Sequence, residues 1–84
     1  MPVIARFYSI VIKMHYFEDE HNPPHIHARY NEYEGIFSIE NGLMTRGNLP
    51  NIAIKLVKAF IKQHKKRLLL MWENQDFEVL EFEE

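Results

Sequence analysis

Two runs of alternating residues meet at Asn31-Glu32, and their alternation admits one pairing. His25 to Tyr30 precedes the junction and Tyr33 to Ile39 follows it. A two-residue turn at Asn31-Glu32 suits the pair, because Asn tolerates the left-handed conformation that such turns require. It sets Tyr30 against Tyr33, Arg29 against Glu34, Ala28 against Gly35, His27 against Ile36, Ile26 against Phe37 and His25 against Ser38. Ile26, Ala28, Tyr30, Tyr33, Gly35, Phe37 and Ile39 then share one face. The histidines, Arg29, Glu34 and Ser38 share the other. A one-residue slip would mix the two sets, so the pattern selects the register.

The neighbouring segments extend this hairpin. Val3 to Phe7 reads as a short strand and Ile10 to Tyr16 as a longer one, with a bend or bulge at Tyr8-Ser9. Alternation places Ile10, Ile12, Met14 and Tyr16 toward a core and Val11, Lys13 and His15 away from it. Asn41-Gly42 is a strong turn signal, after which Leu43 to Arg46 returns as a strand. Gly47-Asn48-Leu49-Pro50 ends the sheet region and opens a helix, with a polar residue near its cap and Pro50 in its first turn.

From Pro50 to about Asn74, apolar residues recur at helical spacing: Ala53, Leu56, Val57, Phe60, Ile61, Leu68, Met71 and Trp72. His64 falls on that stripe and reads as a hydrogen-bonded core residue, while Gln63-His64-Lys65-Lys66 marks a kink or break. The tail Phe77 to Phe82 adds an edge strand or lies across the sheet. Strands first and helix after give an α+β fold: an antiparallel sheet of about four strands, one face covered by a long helix. The histidine face is then the uncovered one.

With 84 residues, the expectation is a single domain over 1–84, near the size at which one core is only just sufficient. The absence of cysteine excludes disulfides and thiolate metal sites and suits a reducing, cytoplasmic setting. No apolar run approaches the roughly 18 residues of a spanning helix, and the N-terminus lacks the pattern of a signal peptide. A net charge of -2 argues against a strongly basic nucleic-acid binder. The average conceals a division between Lys55, Lys58, Lys62, Lys65, Lys66 and Arg67 on the helix and Asp76, Glu78, Glu81, Glu83 and Glu84 in the tail. A solvated helix face explains the basic cluster; an acidic partner or RNA explains it too.

The chemistry concentrates where Asp19-Glu20-His21-Asn22-Pro23-Pro24 leads into His25-Ile26-His27. Two histidines at i and i+2 of a strand point the same way, about 6–7 Å apart at Cβ, a spacing that one metal ion can bridge. His21, Asp19, Glu20 or His15 would complete a site for a divalent transition metal such as zinc, iron, nickel or copper. The same residues also form a metal-free acid/base set. His25 or His27 would move protons, Lys13 and Arg29 would steady an anionic phosphoryl group, and Glu34 would orient an imidazole or guanidinium. RNA cleavage through the 2′-hydroxyl needs those tools. A non-enzymatic interaction module, binding through the sheet face and acidic tail, is a third reading.

Met1-Pro2 with Phe7-Tyr8, the Ile12-Lys13-Met14 strand, His21-Asn22-Pro23-Pro24-His25-Ile26-His27, Glu32-Tyr33, Gly47-x-Leu49-Pro50 and the late helical Trp72 together resemble the small bacterial family called domain of unknown function 4160. The resemblance covers nearly the whole chain. His21, Pro23, Pro24, His25 and His27 match its motif, whereas Glu20 replaces a common aspartate and Ser9 a usual glycine. It implies a bacterial toxin-like protein held by a small partner of the domain of unknown function 2442 type, in a toxin–antitoxin pair. It carries no catalytic assignment; the metal-free reading requires no cofactor, the alternative a divalent transition metal, and a homodimer is open.

Overall fold

A computed structural model describes residues 2–15 and 23–84. Five strands, β1 (Val3–Phe7), β2 (Ile10–Lys13), β3 (His25–Tyr30), β4 (Tyr33–Ser38) and β5 (Met44–Gly47), form one antiparallel sheet in the order β1-β2-β3-β4-β5. Helix α1 (Asn51–Asn74) follows. The fold is α+β as expected, with five strands rather than about four. Tyr8 and Ser9 both have positive φ, at 48° and 67°, which makes a tight two-residue hairpin of the expected bend and so separates β1 from β2.

The β3–β4 register agrees with the alternation argument at all six pairs. Asn31 takes the left-handed conformation there, with φ 54°. The β4–β5 connection is wider than a two-residue turn at Asn41-Gly42. Gly42 N–H donates to Ser38 O, and Ser38 N–H donates to Leu43 O, each at 2.9 Å, enclosing four residues. Gly47, at φ 96°, lies so close to β4 that a Cβ would sit 2.2 Å from Glu34 O. Only glycine lets β5 pair there.

One sheet face is the core. Ile10, Ile12, Met14, Ile26, Ala28, Phe37 and Ile39 are buried on it. A register shift in β1 turns both Ile4 and Ala5 inward. Tyr16, expected in this set, lies outside the described residues.

The stripe on α1 meets this face through Ala53, Val57, Phe60, Ile61, Leu68, Met71 and Trp72. Pro50 is the N-cap rather than a first-turn residue, and no side chain caps the helix. At His64 the backbone leaves helical geometry (φ −121°, ψ 20°), so the expected kink is present within one continuous element.

The tail is extended but forms no strand. Leu80 N–H donates to Ile4 O at 2.7 Å, its single backbone bond to β1. Beyond that it is tied to α1: Gln63 exchanges two hydrogen bonds with Glu83, His64 Nε2 donates to Glu81 O, and Arg67 pairs with Glu78. Phe82 stacks on Phe7, which stacks in turn on Phe60. No helix among the described residues is long and apolar enough to cross a membrane.

Candidate functional site

Register, more than loop shape, assembles the site. Lys13 pairs with His27 and Val11 with Arg29 across β2–β3, while Arg29 pairs with Glu34 and His27 with Ile36 across β3–β4. Directly opposed residues on neighbouring strands project to the same side. Lys13, His27, Arg29 and Glu34 therefore meet on the face away from α1. With His15 they line a small depression of about 90 Å³. His25 lies at the margin of a second depression of about 330 Å³, shared with Pro23, Pro24, Ser38, Thr45 and Arg46. His21 lies outside the described residues.

The imidazoles form a connected row. His15 and His27 stack with ring centroids 3.8 Å apart and 18° between planes. His25 follows at 5.3 Å from His27, and Trp72 at 4.8 Å from His25. The part of α1 beyond the kink thus reaches the start of β3 and gives His25 an aromatic wall. Strand alternation placed His15 on this face but could not show the stack. Trp72 could not be placed beside His25 at all, because that contact depends on where the kinked helix lands.

Two local features set the tautomer of His25 and the charge of His27. His25 Nδ1 is 2.9 Å from Pro23 O. A carbonyl can only accept, so Nδ1 carries the proton and the neutral ring presents a bare Nε2. Pro24 O accepts from Ile39 N–H at 3.1 Å, which ties the Pro-Pro step to the end of β4. His27 is driven down to a pKa of about 4, first by partial burial, then by His15 and His25, with Glu34 opposing and Lys13 adding to the depression. At neutral pH, His27 is an uncharged base.

Cationic support is in place but loosely held. Arg29 and Glu34 approach to 3.9 Å with both side chains mostly exposed, and Arg29 Nε donates to Asn31 O at 3.0 Å. An ion pair so exposed contributes about 0–1 kcal/mol and leaves the guanidinium available to an anion. Among the described residues, no group of three His, Asp or Glu side chains converges for a metal ion. A larger concavity, about 690 Å³, lies elsewhere, where the tail runs beside β1 along Val3, Phe7, Leu80 and Phe82.

A family model described as domain of unknown function (DUF4160) matches residues 9–73. The chain belongs to that family. The match takes in β2 to β5, the histidine segment and nearly all of α1. It leaves out β1 and the tail, which contact each other through Leu80 and Ile4 and through Phe82 and Phe7. No curated protein and no solved structure matches the chain.

Proposed function

We propose that the protein is the toxin-like member of a bacterial two-protein module and that it cleaves RNA through the open sheet face. The observation that carries this reading is the placing of an uncharged imidazole, His27, beside Lys13 and Arg29 in one depression. His27 takes the proton of a 2′-hydroxyl, and the freed oxygen attacks the adjacent phosphorus. Lys13 and Arg29 balance the charge that gathers on the phosphoryl oxygens. As the bond to the 5′-oxygen breaks, protonated His25 gives that oxygen its Nε2 proton, its Nδ1 being held by Pro23 O. Glu34 keeps Arg29 on the face. The small partner implied by the family resemblance would cover this surface and silence it.

Induced expression tests the reading directly. His27→Ala should relieve growth inhibition while the purified variant keeps its circular dichroism spectrum. An equally toxic variant would remove His27 from the mechanism.

A second reading rests on His25. A histidine that donates Nδ1–H to a carbonyl and offers Nε2 is arranged as metal ligands commonly are. His21, His25 and His27 would then hold a divalent transition metal. Elemental analysis of untagged protein, repeated on His25→Ala/His27→Ala, decides between the two: about one equivalent of metal lost in the variant favours the ion.

A further inference from the structure

Successive cross-strand pairs run through four residues on the open face: Lys13 on β2, His27 on β3, Ile36 on β4 and, beside a register shift at Ile36/Phe37, Arg46 on β5. Three interstrand steps of about 4.8 Å separate the first from the last, so their Cα atoms stand ~14 Å apart with the imidazole and an apolar residue between them. Arg46 is exposed, and it borders the 330 Å³ depression together with His25, Ile36 and Ser38. Lys13 and Arg29 border the smaller depression on the other side of His27. The row thus joins two concavities, with the imidazoles at their divide.

From this we infer that the face is a transverse track for single-stranded RNA, and that Arg46 is its far phosphate clamp, a contact separate from the reacting phosphate at His27. The inference rests on the RNA reading above and adds to it the strandedness, direction and minimum length of the ligand. Both depressions are lined by residues of the sheet's open face, which suits an extended strand whose bases lie against side chains. Ile36 supplies the apolar floor for the sugar or base between the two phosphates. A net charge of -2 speaks against gripping a duplex by bulk electrostatics. The ligand must span more than one phosphate, since a fragment seated at His27 alone would not reach Arg46.

Binding of fluorescein-labelled 2′-O-methyl oligonucleotides, which cannot be cut, tests this by anisotropy at several salt concentrations. Wild type should bind a pentanucleotide more tightly than a dinucleotide. Arg46→Ala should weaken the pentanucleotide about fivefold or more, lower its salt slope by about 0.7 and leave the dinucleotide unchanged. Arg46→Lys should restore most of the affinity, and Lys62→Ala, on the helix away from this face, should match wild type. If wild type binds the pentanucleotide and Arg46→Ala binds it equally well, the clamp is wrong while the RNA reading stands. If wild type binds neither oligonucleotide, both are wrong.

Discussion

His27 and His64 are both half-buried imidazoles packed against other rings, yet their surroundings have opposite effects. His64 sits at the kink of α1, 5.0 Å from Phe60, with Nε2 satisfied by Glu81 O at 2.6 Å. Its neighbours use it to tie the tail down. His27 is surrounded by His15, His25 and Lys13, groups that are cations or become cations, with Glu34 as the opposing charge. Burial among potential cations keeps a base uncharged, whereas burial against a carbonyl makes a structural joint. Two histidines of similar exposure therefore differ in what they do because of what faces their ring nitrogens.

The largest expected effect is on activity. His27→Ala should lower RNA cleavage by about 10²-fold or more, the usual scale for a general base. His64→Ala should leave cleavage per folded molecule at the wild-type level, and equal losses in both variants would erase the distinction. The order reverses for stability. His64→Ala should destabilise by about 1–2 kcal/mol in urea unfolding, from one lost hydrogen bond and one lost aromatic contact, and should increase proteolysis near residues 77–84.

A pH series sharpens the contrast. His27 binds its proton less readily folded, at about 4, than unfolded, near 6.5, so its contribution to stability is complete above pH 6.5 and is lost as pH falls toward 4. With the ring only partly buried, solvent screening reduces the loss to about 1–2 kcal/mol. Unfolding measured at pH 7 and pH 4.5 should show a smaller drop for His27→Asn than for wild type, and an unchanged drop would mean that other groups carry it. The smallest effect belongs to Arg67→Ala. Its pairing with Glu78 is solvent-exposed, so the shift in midpoint should be slight and should vanish in 1 M salt.

Much of the sheet was legible because side chains alternate with period two and each strand has one apolar face. The six β3–β4 pairs and the burial of Ile10, Ile12, Met14 and Ile26 follow from that rule alone. The Tyr8-Ser9 turn was harder to read, since neither residue is the glycine that both left-handed positions favour. Replacing Ser9 by glycine should stabilise the hairpin by up to ~1 kcal/mol, measurable as a raised urea midpoint.

By itself, then, the sequence determined the β3–β4 register, the two-faced sheet, the helix that covers one face and the placing of Lys13, His27, Arg29 and Glu34 on the other. These depend on local period and on nearest-strand pairing, which a linear pattern records. Only the tertiary structure decided that His15 stacks on His27, that Trp72 stands beside His25, that Arg46 aligns with Lys13 over three interstrand steps, and that the tail is clasped by Gln63, His64 and Arg67. Those relations depend on side-chain rotamers, on where a kinked helix points and on summed registers, none of which is written in the spacing of any one segment.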